Sequence, residues 1–445
     1  MAAIAQPPMS PPEDTAGLPP VPGLLPAVQE WIDRLIPPPA LGPAAPNAPL
    51  VDAGRLEPDL AALRAAVMPD PIGDPFVDDW PTFLDIYAPG ELLEWRDVTA
   101  TGAPLMFPAP RQVLQLKFRT TDSLGAPSYA IASLVIPTGV WTGPGDRPIV
   151  VNNVPINGLG RKCNPSYTLT HGISLDTNLS EFIPPTTYLA LARGYAVLIP
   201  DHEGPRMAYA EPYVAGHAVL DSIRAVRGSL SEEFGASDFG MIGYSGGAIA
   251  TNAAAKLLDE YAPELAGVVV GAALGGVPVD YEILAESMNA NLASGVFMGA
   301  TFAVGRERPE ILARMNHLAQ WIAISPMKNK CVDTFALPGI FHLPIDIAAN
   351  FPDPLHSDLA EDIYRATRLE GRKSAVPLYI YHGEQEFWVP PRGARNLVSE
   401  QCGLGANAVY RSVFGEHVVA AVTGYPEAVL WLDARLRGEA AVSEC

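Results

Sequence analysis

The sequence predicts an α/β protein: a mostly parallel sheet with helices on both faces. Three observations lead there. From residue 148 onward, short apolar runs alternate with helix-like stretches, the pattern of parallel strands joined by right-handed crossovers. Before it, two runs of alternating polarity, 112–118 and 129–136, flank turn-rich residues 122–127 and read as a hairpin entering the sheet. At the centre, Phe239, Met241 and Ile242 form a short apolar strand. It breaks at Gly243-Tyr244-Ser245-Gly246-Gly247, and a run rich in Ala and Leu then continues as a helix to Ala262.

Composition sets the outer limits. The chain has 445 residues, 48% of them apolar and 18% charged, enough for a sizeable core with an insertion. The net charge of −20 argues against nucleic-acid binding and gives no attraction to anionic lipid surfaces. Four cysteines (Cys163, Cys331, Cys402, Cys445) contain no C-x-x-C, so no zinc or redox motif is indicated; they allow up to two disulfides in three connectivities. No metal or cofactor is expected. No run of 18 apolar residues suggests a transmembrane segment. The first residues lack a charged, then apolar, leader. The expectation is a secreted or cell-envelope protein whose leader is absent from this sequence, with a cytoplasmic location as the alternative.

In order along the chain, residues 1–70 are dense in Pro and Ala and read as an N-terminal arm, with short helices over 27–36 and 54–68. After the hairpin come a strand over 148–154, a short helix over 188–193 and a strand over 195–200. A helix over 214–230 places Val219, Ile223, Val226 and Leu230 on one face. Further strands are read over 265–274, 376–381 and 408–414, with helices over 392–401 and 427–436. Between 276 and 375 no clear strand occurs. Helix-like segments (280–290, 295–304, 309–324, 358–368) suggest a helical cap inserted into a core of 71–275 and 376–445. Phe297, Met298, Phe302 and Val304 make one segment apolar on more than one face, which suits an apolar substrate.

The G-x-S-x-G pattern alone is weak, since chance would place it in such a chain roughly 0.2 times. Its setting gives it meaning. Strand, sharp turn with Ser at the tip, then helix is how a nucleophilic serine is presented at a helix N-terminus, where the N–H of Gly246 can hold an oxyanion. The plainer reading is a glycine-rich turn with a solvent-facing Ser. In the α/β-hydrolase arrangement the acid and then the His follow on later loops. His417 lies just past the last strand, where a catalytic base belongs. The loop after the 376–381 strand, His382-Gly-Glu384-Gln-Glu386-Phe-Trp-Val-Pro390, holds no Asp, so Glu384 and Glu386 are the acid candidates. His202 and His382 also end strands. His382 is expected to pack within the acid loop, and His202 either to line the site or to hold loops together. The G-x-G of 158–160 lacks the third small residue and the acidic partner of a dinucleotide site and is discarded.

Several blocks together resemble the secretory lipase family: Gly243-Tyr-Ser-Gly-Gly247, Asp201-His-Glu-Gly204, Cys163-Asn-Pro-Ser-Tyr167, Tyr261-Ala-Pro-Glu-Leu265, Glu400-Gln-Cys402 and Glu416-His417. The resemblance runs from about residue 70 to the C-terminus. It implies an α/β-hydrolase core with a helical cap, hydrolysis of carboxylic esters including triacylglycerols, Ser245 as nucleophile and His417 as base. The family's Asp falls on Glu386, a departure. An Asp that helps form the family's oxyanion hole falls on Asn157, whose amide or backbone N–H would stand beside Gly246. The family's use of cysteines implies a Cys163–Cys331 disulfide. Tyr244, Phe297, Met298 and Phe302 are the expected substrate contacts. The expected partner is a lipid or other apolar ester; the sequence says nothing of oligomeric state. The alternatives are an acyltransferase or short-chain esterase on the same fold, or a non-catalytic lipid-binding protein.

Overall fold

The computed structural model describes residues 28–42, 56–178 and 185–445. The rest of the arm, residues 1–27 and 43–55, and residues 179–184 lie outside the described residues. Among the described residues nine strands form one sheet: β1 (Leu92–Asp97), β2 (Pro110–Thr121), β3 (Pro127–Pro137), β4 (Ile149–Asn153), β5 (Ala196–Pro200), β6 (Phe239–Tyr244), β7 (Val269–Gly275), β8 (Leu378–Gly383) and β9 (Ala408–Val413). Their order is β1-β2-β3-β5-β4-β6-β7-β8-β9. β1, β2, β3 and β5 pair antiparallel, and every pair from β5 across to β9 is parallel. This is the expected hairpin entry and parallel body. β1 was not legible in the sequence: Leu92–Asp97 is an edge strand, half exposed and charged, without clean alternation.

The larger helices are α1 (Val28–Leu35), α2 (Pro58–Ala66), α3 (Pro165–His171), α4 (Thr186–Ala192), α5 (Pro212–Ser229), α6 (Gly246–Tyr261), α7 (Tyr281–Met288), α8 (Ser294–Glu307), α9 (His317–Ile324), α10 (Asp358–Arg368), α11 (Pro391–Gly403), α12 (His417–Thr423) and α13 (Tyr425–Leu436). Period-two side chains send alternate residues of each strand to opposite faces. On one face Val151, Met241 and Leu274 meet Val219 and Ile223 of α5 and Ala250 and Leu257 of α6. On the other, Val150, Val197 and Ile242 meet Leu191 of α4 and Leu432 and Leu436 of α13. Burial on both faces explains why β4 and β6 read as continuous apolar runs.

Between β7 and β8 the chain is helical, with α7 to α10 and short turns. The stretch 309–324, read as one helix, breaks in two. Met315 pairs with Ala349, and Asn316 Oδ1 accepts the N–H of Ala319 as the cap of α9. The described parts of residues 1–70 pack on this helical segment. Leu63 and Val67, in and just after α2, cluster with Leu312, Met315 and Ala319, and Asp33 of α1 accepts the N–H of His317 at 2.7 Å. Two disulfides close the chain: Cys163–Cys331, as the resemblance implied, and Cys402–Cys445, which ties the C-terminus to α11. Among the described residues no helix is long and apolar enough to cross a membrane.

Candidate active site

The site grows from the ends of three parallel strands. β6 ends in Ser245, whose φ of +52° lies in the left-handed region that side chains disfavour. Two close approaches hold the turn. A Cβ at Gly243 would come within 2.2 Å of the Gly247 carbonyl, and one at Gly247 within 1.8 Å of the Asn153 carbonyl. Only glycine fits either position. Ser245 N–H donates to the Gly275 carbonyl at 2.9 Å, and α6 starts at Gly246 with first-turn N–H groups unused by the helix.

β8 delivers the acid loop and β9 delivers His417, the first residue of α12. Glu416 caps that helix, accepting the N–H groups of Val418 and Val419. Three side chains converge. His417 Nε2 lies 2.9 Å from Ser245 Oγ, and His417 Nδ1 lies 2.6 Å from Glu386 Oε2. Glu386 Oε1 accepts the N–H groups of Trp388 and Val389 at 2.8 and 3.2 Å. Burial alone would raise the Glu386 carboxyl. Its hydrogen bond to His417, the charge of that ring and the two backbone N–H groups outweigh burial and hold it below the usual range.

Glu384, the other acid candidate, is exposed and accepts Ser412 Oγ at 2.9 Å, on the far side of its loop. His382 is fully buried with Nε2 on the Val389 carbonyl, packing inside the acid loop as expected. His202 takes the second of its two readings: Nε2 bonds the Val154 carbonyl, and burial pushes its pKa down to about 4.

A cavity of about 350 Å³ opens beside Ser245 and His417. Its walls are apolar and come largely from the helical segment: Leu284 and Met288 of α7, Val296, Phe297 and Ala300 of α8, and Ile363 of α10. Phe297 and Phe302 line it. Met298 is not among the residues that line it. Tyr244 is not a cavity residue either. Its ring stands 5.2 Å from that of His417 and its hydroxyl donates to the His417 carbonyl, so it supports the histidine from below. Trp388, which the sequence reading passed over, lines the cavity, its ring 6.2 Å from His417. Its place two residues after Glu386 was the available signal.

Asn157 lines the cavity with φ +45°, and its Oδ1 is buried without a hydrogen-bond partner. The amide lies on Gly246: a Cβ there would come within 1.9 Å of Asn157 Oδ1. The backbone N–H of Asn157 faces the buried Glu203 carboxylate, not the serine.

Comparison with known proteins bears on this geometry. A family model described as secretory lipase matches residues 174–444. Lipase 2 of Candida albicans is 28% identical over 378 residues, covering 80% of this chain and 79% of its own. A Mycobacterium tuberculosis protein named as a probable inactive lipase is 28% identical over 389 residues, covering 83% of each. The X-ray structure of Candida antarctica lipase A in its closed state matches with a TM-score of 0.74 at 26% identity, covering 85% of this chain and 89% of that one.

Proposed function

The chain belongs to the secretory lipase family, and we propose that this carboxylic ester hydrolase acts through an acyl-enzyme on Ser245. The observation that carries the reading is the unbroken path Glu386–His417–Ser245, with both bonds at hydrogen-bond length. His417 Nε2 takes the Ser245 proton as Oγ bonds to the ester carbonyl carbon. The carbonyl oxygen becomes an oxyanion facing the N–H of Gly246 and the Nδ2 donor of the Asn157 amide. When the C–O bond to the alcohol breaks, His417 returns the proton to the departing oxygen. Water then repeats the sequence on the acyl-enzyme, releasing the acid. Glu386 keeps the Nδ1 proton toward itself and stabilises the imidazolium as it forms. Glu supplies here what Asp supplies in the family, with one more methylene of reach.

The apolar cavity supports a fatty acyl group as the bound part of the substrate, hence lipid esters such as triacylglycerols. Residues 276–375 act in this reading as a cap over the strand ends. Two disulfides and the family name support export. The test is release of p-nitrophenol from acyl esters, with mass-spectrometric mapping of an alkyl fluorophosphonate adduct. Wild-type protein should turn over esters and carry the adduct on Ser245, while Ser245→Ala should fold and do neither. Label on another residue, or none with no turnover, would reject the reading, the second outcome favouring a non-catalytic relative.

A further inference from the structure

The loop after β4, residues 155–159, carries Asn157 against Gly246, and an unusual share of its backbone is tied down. Asn178 Nδ2 donates to the carbonyls of Pro155 and Ile156. Leu159 N–H donates to the Lys330 carbonyl at 2.9 Å, and Gly158 pairs with Cys331 in an isolated bridge beside the Cys163–Cys331 disulfide. From beneath, Glu203 accepts the Gly158 N–H at 3.3 and 3.2 Å through its two oxygens, with the Asn157 N–H facing the same carboxylate. Glu203 is 2% exposed, and no step proposed above uses it.

Arg306 of α8, equally buried, holds the surroundings of this carboxylate. Its guanidinium donates to five carbonyls: Leu159 at 2.8 Å, Arg206 at 2.9 Å, Met207 at 3.0 Å, Val67 at 3.1 Å and Lys328 at 3.0 Å. Burial pushes the Glu203 carboxyl well above the usual carboxylate range, and the bonded N–H groups and the Arg306 charge act against that rise. A buried carboxylate with an opposing charge and bonded N–H groups is a costly feature that a plain loop anchor does not require. A residue of positive φ such as Asn157 persists only when its surroundings over-determine it. Glu203 supplies that constraint at the residue whose amide faces the oxyanion position.

We infer that Glu203 is a positioning residue for ester hydrolysis: by accepting the Gly158 N–H it fixes the 157–158 turn, so that the Asn157 side-chain amide lies over Gly246 and presents Nδ2, its donor, to the oxyanion. The inference rests on the acyl-enzyme reading. Arg306 bonds the Leu159 carbonyl at the end of the turn, coupling the turn to the helical segment.

A double-mutant cycle tests it, read as kcat and KM on p-nitrophenyl butyrate together with thermal unfolding. Asn157→Ala should lower kcat about 10²-fold, as for loss of one oxyanion donor. Glu203→Met keeps the volume and removes both acceptors, and should also lower kcat on the order of 10²-fold with KM nearly unchanged. Glu203→Gln keeps one acceptor carbonyl and should recover most of that loss. In the Asn157→Ala background, Glu203→Met should then cost less than about 3-fold, because both changes remove one interaction. Additive losses, or an unfolding shift with kcat preserved on the folded fraction, would overturn the proposal. If Glu203→Met does not fold, Glu203→Asp in both backgrounds reads the same coupling. Failure of every Glu203 variant to fold would assign it to folding and also overturn the proposal. A wild-type protein inert toward the ester would remove the acyl-enzyme reading, and this proposal with it.

Discussion

At the residue scale, His417 is held at both nitrogens, and the acid side determines which nitrogen meets Ser245. Glu386→Gln preserves shape but donates where it should accept, so kcat should fall on the order of 10³–10⁴-fold with the fold retained. Glu384→Gln should leave kcat within a few-fold, since Glu384 bonds only Ser412 among the side chains it meets. Glu386→Asp restores the family residue with shorter reach and should keep partial activity. Steady-state kinetics on the three variants separates these outcomes; a dead Glu384→Gln beside an active Glu386→Gln would reverse the acid assignment. Glu386 also predicts a pH effect. Its folded pKa lies below the ordinary 4.5, so its ionised form favours folding above about that pH. The contribution fades as pH falls through the lower folded value. The Tm advantage of wild type over Glu386→Gln should therefore be widest near neutrality and narrow below pH 4.5, followed by calorimetry from neutral to acid.

At the element scale, the strand–turn–helix around Ser245 depends on backbone approaching backbone. Gly247→Ala would drive a Cβ into the Asn153 carbonyl, 1.8 Å away, with no flexible side chain able to yield. It should destabilise by about 1–3 kcal/mol or more, and a denaturant midpoint equal to wild type would contradict the turn geometry. The disulfides should differ in consequence. Cys163–Cys331 spans 168 residues and fastens the Asn157 loop to the helical segment, whereas Cys402–Cys445 spans 43 and ties down the chain end. Replacing both Cys163 and Cys331 by Ala should cost about 2–4 kcal/mol and lower kcat as well. Replacing Cys402 and Cys445 should lower Tm with kcat unchanged. Peptide mapping under non-reducing conditions checks the pairing first.

At the scale of the whole molecule, the strand ends carry Ser245, Glu386 and His417, and the helical segment supplies much of the apolar wall of the cavity beside them. Ala300 of α8 lines the cavity with a methyl group, so Ala300→Phe should fill part of it without touching Ser245, Glu386 or His417. Each buried methylene of an acyl chain contributes about 0.8 kcal/mol, so excluding two or three should lower kcat/KM for long-chain esters by roughly 10–50-fold. Short-chain esters should be hydrolysed as by wild type. A uniform loss across chain lengths would mean that α8 shapes the reacting groups and not the acyl site.

The sequence by itself determined the parallel body of the sheet, the glycine-flanked turn at Ser245 and the placement of the Glu386 loop and His417 after later strands, because each is written in local signals. Buried parallel strands are short apolar runs, and the turn needs Gly243 and Gly247 where they stand. The histidine and the acid loop directly follow strands. What tertiary structure decided involves partners far apart in the chain. Glu384 and Glu386 are two residues apart and equally acidic, and only the fold directs one to His417 and the other to Ser412. Tyr244 sits beside Ser245 yet faces the histidine backbone, because a strand sends alternate side chains to opposite faces. Met298 is as apolar as Phe297, yet of the two only Phe297 lines the cavity. Glu203 and Arg306 are separated by about a hundred residues, and no local pattern marks a buried carboxyl and a buried guanidinium that bond the backbone of one loop. Such a pair becomes visible only once the Asn157 loop and α8 are packed together, since burial itself turns two ordinary charged side chains into a brace.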